Sequence, residues 1–173
     1  MHQHCDIAII GAGPSGAIAA ALLKKQGLHV IVVEKEHFPR FVIGESLLPH
    51  CMEFIAEAGF LPAVAAEPSF QHKNGAAFTW GSRYTYFDFT DKFTPGPGTT
   101  FQVRRALFDN ILIDEARKQG VDVRFGDAVS HFDNSGDRAR LGITRENGET
   151  YTLNARFVLD ASGYGRVLPR LLD

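Results

Sequence analysis

Cysteine is scarce in this 173-residue sequence: there are two, Cys5 and Cys51, and they do not form a CxxC pair. That excludes a disulfide framework and a thiol redox motif, and it points to a reduced, cytoplasmic setting. No apolar run approaches the roughly 20 residues that a membrane-spanning helix needs. No basic segment with a cleavable apolar stretch opens the chain, because its first apolar run already reads as a strand of the fold. Charge of one sign is also missing. Lys and Arg total 18 against 20 Asp and Glu, a net charge of -2, which argues against nucleic acid as a main partner. Internal repeats and low-complexity segments are absent. The opening Met1-His2-Gln3-His4-Cys5 carries ligand-type side chains but no fourth ligand nearby in sequence, so no metal site is expected. What is present is 45% hydrophobic and 22% charged, the composition of a globular domain with a real core.

The most informative stretch is CDIAIIGAGPSGAIAAALLKKQGLHVIVVE, Cys5 to Glu34. It reads as strand, glycine turn, helix and strand, with the glycines as Gly11-x-Gly13-x-x-Gly16. Alone, such a triplet is a weak signal. Here each position meets a physical need of a dinucleotide site. Gly11 permits the sharp turn out of the strand. Gly13 has no side chain, so a pyrophosphate can approach the backbone. Gly16 lets the helix lie close to the strand. Pro14 and Ser15 open a helix running to about Gln26, whose free N–H groups and dipole favour phosphate. Gly27 suits its stop. Glu34 ends the second strand, where a carboxylate can accept bonds from ribose hydroxyls. The bland alternative is an ordinary βαβ unit with an acidic strand end.

Beyond Glu34 the chain alternates in character. A polar loop runs to Phe41, and Gly44 and Pro49 bracket a turn in which Ser46 is a candidate N-cap for a helix from about Pro49 to Ala58. Leu61 to Phe70 reads as a bent helix or loop. Gly75–Gly81 and Tyr84–Phe89 alternate with period two, as paired strands around Gly81-Ser82. Pro95-Gly96 and Pro97-Gly98 mark an irregular loop before a strand over 99–103. An amphipathic helix over 104–119 has Leu107, Phe108, Ile111, Leu112 and Ala116 as its stripe. A parallel strand over 121–125 follows. Three antiparallel strands near 127–133, 138–145 and 149–153 form a meander, and a separate apolar strand covers 155–159. Asp160-Ala161-Ser162-Gly163 then lies at a strand's carboxyl end, where ligands sit in open α/β sheets.

Five of these stretches together resemble the FAD-binding part of the flavoprotein monooxygenase class that includes the flavin-dependent halogenases and the geranylgeranyl reductases. They are DIAIIGAGPSGAIAA at 6–20, the Glu34 strand end, PRFVIGESLLP at 39–49, FQVRRALFDNILIDEA at 101–116 and FVLDASGYG at 157–165. The RxxxGESLLP form, Arg40 to Pro49, is the most specific and looks most like the halogenases. The resemblance implies an α/β, Rossmann-like FAD-binding domain of the glutathione-reductase type. It also implies a three-stranded β-meander and an inserted strand region, 70–103, on the substrate side.

For the cofactor, the resemblance implies that Gly11, Gly13, Pro14, Ser15 and Gly16 hold the pyrophosphate of FAD. Glu34 and Lys35 would lie at the adenosine ribose, and Arg40 by the adenine or phosphates. Ser46 sits in the turn beside the flavin, Gln102 and Arg105 face the FAD, and Asp160 and Gly163 meet its ribityl or ribose hydroxyls. An arginine at a helix N-terminus is electrostatically unfavourable, so a bound anion would explain Arg105. The bland alternative for Asp160 is an Asx turn.

Lys73, in KNGAAFTWG, resembles the halogenases' lysine. In that family reduced FAD and oxygen give a C4a-hydroperoxide, halide attacks it, and the lysine delivers the resulting electrophilic halogen. The implied partners are a small-molecule substrate, aromatic or carrier-bound, together with halide and a flavin reductase. The alternatives are a prenyl-chain reductase of the geranylgeranyl type, and a non-catalytic FAD-binding remnant. The family's WxWxIP stretch and its second flavin motif, Gly-Asp followed by a helix, are missing. Trp80 is the only tryptophan. A fragment is therefore expected, inactive alone, whose partner is the remaining part of its own protein.

Overall fold

The first apolar run forms β1 (His2–Ile10) in the computed structural model, which describes residues 2–172. In chain order there follow α1 (Pro14–Lys25), β2 (Val30–Glu34), α2 (Cys51–Ala58) and α3 (Leu61–Ala65). The strands β3 (Gln71–Lys73), β4 (Gly75–Trp80), β5 (Arg83–Asp88) and β6 (Thr100–Gln102) come next. Then come α4 (Arg105–Lys118), β7 (Asp122–Phe125), β8 (Asp127–Asp133), β9 (Ala139–Arg145) and β10 (Thr150–Asp160). A 3-10 turn (Gly163–Gly165) and α5 (Val167–Leu172) end the described chain. The elements divide into two units. One holds the residues up to Arg40 and from Asp109 onward; the other is Phe41–Phe108.

The first unit is built on a six-stranded sheet in the order β7-β2-β1-β10-β9-β8. Strands β7, β2, β1 and β10 run parallel, and β9 and β8 extend the edge antiparallel. All five residues of β2 are buried, as expected of a strand covered on both faces. Ile31 and Val33 join Ala8, Ile10, Leu141, Ile143, Leu153 and Ala155 in one apolar cluster. By alternation Val30 and Val32 face the other side. Each such fully buried aliphatic side chain stabilises the fold by roughly 2 kcal/mol. The buried face of α1 is Gly16, Ala17, Ala20 and Ala21, residues small enough for a helix to lie close to a sheet. Gly27, at φ +79°, follows the end of the helix as expected.

Two sequence expectations change here. The strands expected at 149–153 and 155–159 are one strand, β10. Its first half pairs antiparallel with β9, and from Thr152 to Asp160 it runs parallel with β1. Nothing breaks the strand between Leu153 and Ala155, because the Asn154 side chain, though polar and buried, donates to the Gln3 carbonyl across the sheet. In α4, Ile113 rather than Ile111 is fully buried, beside Phe108, Leu112 and Ala116.

The second unit packs α2 and α3 with β3, β6 and the first turn of α4. Its core is aromatic: Phe60 is fully buried, and the Phe70 ring stands 6.4 Å from Phe101 and 6.1 Å from Phe108. The expected hairpin forms, with Trp80 opposite Arg83 around Gly81-Ser82. The helix expected from Pro49 begins at Cys51. Its N-cap is His50, which makes no side-chain cap bond, so Ser46 is not the cap. Residues 48–53 bond at i→i+3 spacing instead, and the chain enters the helix through that tighter turn.

Cys5 lies in the sheet's apolar cluster, and burial pushes its thiol from 9.0 up to about 11. The unfolded chain releases this proton at lower pH than the folded one. The stability it contributes is therefore fully present below about 9 and is lost as pH rises through about 11. Urea unfolding of wild type and Cys5→Ala at several pH values checks this. The variant's stability should fall less steeply than that of wild type over this window.

Candidate cofactor site and lysine cluster

The glycine turn between β1 and α1 is tied at its β1 end by two backbone bonds. Gly11 N–H donates to the Val33 carbonyl at 2.8 Å, and Ala161 N–H to the Ile10 carbonyl at 2.9 Å. Gly11 has φ +100°, and a Cβ there would stand 2.7 Å from the Ala161 oxygen. A Cβ on Gly16 would stand 2.0 Å from the Gly11 oxygen. Both glycines are therefore required by packing. Gly13 is different. It is the N-cap of α1 with extended backbone, and its Cβ would meet only Arg40 Nη2, at an ordinary 3.6 Å. Nothing in the chain itself requires a glycine at this position. The space in front of the first turn of α1 is open, and the helix presents its unspent N–H groups there.

Glu34 is buried at the end of β2 and binds the turn. One carboxylate oxygen accepts from Ala12 N–H at 2.9 Å, the other from Glu36 N–H at 2.9 Å. Each keeps a second lone pair for a hydroxyl donor. Lys35 is exposed and pairs with Glu36. Arg40 lies over the Phe38 ring, 4.7 Å from its centroid, with Nη2 3.9 Å from the buried carboxylate of Asp109. Arg40 Nε is buried and has no hydrogen-bond partner among the described residues. Sequence reading missed Asp109. The available signal was an acid on the same face of α4 as Leu112, Ile113 and Ala116.

Asp160 ends β10 in the Asx turn that was the bland alternative. One oxygen accepts from Ser162 N–H at 3.0 Å and the other from Leu168 N–H at 2.8 Å. Burial pushes this carboxyl up, but the hydrogen bonds from Ser162 and Leu168 outweigh it, so it sits below its usual value. Gly163, at φ +57°, starts the 3-10 turn next to it.

In the second unit the residues of interest gather around the 43–47 segment. Arg105 donates to the carbonyls of Ile43 at 3.1 Å and Gly44 at 3.4 Å. These acceptors give an arginine at a helix start a local reason. Gln102 pairs with Gln71 across β3–β6 and forms an isolated bridge with Ser46. Lys73 Nζ donates to Ser46 Oγ at 2.5 Å and to the Leu47 carbonyl at 3.1 Å, and lies 5.0 Å from the Phe89 ring centroid. No group of three or more His, Cys, Asp or Glu able to hold a metal occurs among the described residues.

The first unit is thus a dinucleotide-binding sheet of the flavoprotein kind. The chain belongs to the FAD binding domain family, which it matches over residues 4–168, within the flavin-dependent halogenase and monooxygenase class. It is 40% identical to a tryptophan 2-halogenase of Chondromyces crocatus over 91% of this chain and 30% of that one. Among solved structures, a flavoprotein/dehydrogenase from Cytophaga hutchinsonii superposes with a TM-score of 0.92 at 50% identity, covering 96% of this chain and 41% of that one. CmlS, a flavin-dependent halogenase, gives 0.90 at 36% identity, covering 98% and 31%. The chain spans about a third of the length of the curated relatives it matches. FAD is the family's cofactor, and the residues present fit it: an open glycine at a helix N-terminus, an unpartnered buried Arg40 Nε beside it, and a carboxylate at the strand end. No helix among the described residues is long and apolar enough to cross a membrane.

The two glycines separate by experiment. Gly16→Ala should destabilise the FAD-free chain by about 3 kcal/mol, because a Cβ there overlaps backbone that cannot retreat. Gly13→Ala should cost roughly 1 kcal/mol or less, an N-cap effect, yet weaken FAD binding at least about tenfold. Thermal melts without FAD and flavin-fluorescence titrations check both.

Proposed function

We propose that this chain is the FAD-binding part of a flavin-dependent, halogenase-like oxidoreductase acting on a small-molecule substrate in the cytoplasm. The observation that carries the reading is Lys73, held by Ser46 and Leu47 within the stretch whose RxxxGESLLP form the halogenases share. In the proposed arrangement Gly11, Gly13, Pro14, Ser15 and Gly16 take the pyrophosphate. Glu34 and Lys35 take the adenosine ribose, and Arg40, backed by Asp109, lies against adenine or phosphate. Asp160 and Gly163 serve the remaining hydroxyls. Ser46, Gln102 and Arg105 serve the flavin end, and residues 70–103 belong to the substrate side.

Bound reduced FAD supplies the oxidising chemistry with dioxygen that makes halide electrophilic. The chain's own contribution follows from its side chains. The turn N–H groups and Arg40 neutralise phosphate charge, while Glu34 orients the ribose and ties the turn. Lys73 would offer an N–H to the oxygen of a hypohalous acid, so that the oxygen–halogen bond breaks as a substrate carbon takes the halogen, and the oxygen leaves as water with the proton that carbon loses. Halide, a flavin reductase and the remaining length seen in the relatives are the proposed partners.

The test uses the protein at its full natural length with reduced FAD, halide and air, on a panel of phenols, indoles and pyrroles. Halogenated product is expected. Lys73→Ala should lower its yield at least about a hundredfold, the loss typical of removing a group that acts in the transition state, while flavin reoxidation continues. The absence of halogenated product from the whole panel would sink the halogenase reading. FAD binding with no halogenation would leave a flavoprotein of another activity, and failure to turn yellow with FAD would leave neither.

A further inference from the structure

The bonds that hold Lys73 assign a role to Ser46 that the sequence did not suggest. Ser46 is not the helix cap, and its hydroxyl points to the lysine. Both residues are pinned through their backbones. Ser46 bridges Gln102, Leu47 N–H donates to the Phe101 carbonyl at 3.2 Å, and Lys73 pairs with Thr100 in the β3–β6 ladder. Thr99 Oγ1 also donates to the Lys73 carbonyl at 3.2 Å. What remains free is the lysine side chain, and two acceptors fix its tip: Ser46 Oγ at 2.5 Å and the Leu47 carbonyl at 3.1 Å. The Phe89 ring lies 5.0 Å away.

We propose that Ser46 is a positioning residue for Lys73, its hydroxyl holding the ammonium in one rotamer. An ammonium has three N–H donors. Two are directed at Ser46 and Leu47, and no third acceptor is present among the described residues. The remaining N–H is aimed by the other two, ready for an incoming electronegative atom such as the oxygen of a hypohalous acid. One carbonyl would fix a distance but leave the amine free to swing about it; the second acceptor fixes the direction. The consequence for catalysis rests on Lys73 being the halogen-transfer residue, whereas the positioning itself does not.

Competitive acylation of the folded chain by limiting acetic anhydride, read by peptide mass spectrometry, reports how tightly each lysine amine is held. Lys24 serves as the internal reference. Ser46→Ala should raise the relative rate at Lys73 about fivefold, the ratio that corresponds to one net hydrogen bond of about 1 kcal/mol. Ser46→Thr keeps the hydroxyl and should return the rate to within about twofold of wild type. Ser46→Cys, a weaker acceptor, should fall between, and it serves if the alanine variant does not fold. An unchanged Lys73 rate in a folded variant lacking the hydroxyl overturns the proposal. Halogenation by the full-length protein is scored separately. If labelling responds to Ser46 but Lys73→Ala still halogenates, the positioning stands and the functional reading falls. If labelling does not respond while Lys73→Ala abolishes product, the reverse holds.

Discussion

A Cβ on Gly16 would lie 2.0 Å from the carbonyl oxygen of Gly11, and the absence of that one atom sets how α1 leaves the sheet. With it missing, the helix packs its alanine face directly against the strands and its first turn comes close to the end of β1. The same tight approach brings the β10 end in, since Gly11 also meets Ala161. Two strand ends and one helix start are thereby held within a few ångströms. Glu34 closes the arrangement from β2 by accepting the Ala12 N–H. The open space beside Gly13 follows from these contacts and needs no separate cause. A helix N-terminus with spare N–H groups, a bare backbone in front of it and a cation at its side is an anion site by construction of the fold.

The second unit works on a different principle. Its polar groups are organised by carbonyls that short, irregular backbone leaves unpaired. The 43–47 segment has no helix or ladder of its own beyond one bridge; Val103 N–H takes the Glu45 carbonyl, and those of Ile43, Gly44 and Leu47 accept from side chains. Arg105 takes those of Ile43 and Gly44, and Lys73 takes that of Leu47. Lys73 is thereby held by two neutral oxygens, and no carboxylate bonds to it among the described residues. This suits the role proposed for Lys73, because a carboxylate partner would compete for its N–H groups.

Much of the first unit was legible because its rules are local. The glycine spacing, the apolar strands and the acidic strand end each reflect the chemistry of a few consecutive residues, and the structure places β1, α1 and β2 where that pattern puts them. The misreadings are equally instructive. The two strands expected at 149–153 and 155–159 meet at Asn154, and the neighbouring β1 offers the Gln3 carbonyl that makes its buried amide acceptable within one strand. Ser46 looked like a cap because serine before a helix usually is one. Its actual partner, Lys73, is distant in sequence. Arg105 donates to carbonyls of the 43–47 segment, partners that its place at a helix start does not reveal.

The sequence by itself determined the kind of protein: a βαβ dinucleotide unit whose turn, helix and strand end have the residue types that phosphate and ribose require. Those requirements act over one turn of chain, so they can be read without a fold. The tertiary structure decided which side chains are already engaged. Asp109 behind Arg40, and Ser46 with Leu47 on Lys73, join residues far apart in the chain. Hydrogen bonds and ion pairs depend on distances of about 3 Å and on direction. Composition and spacing carry no information at that scale until the chain has closed on itself.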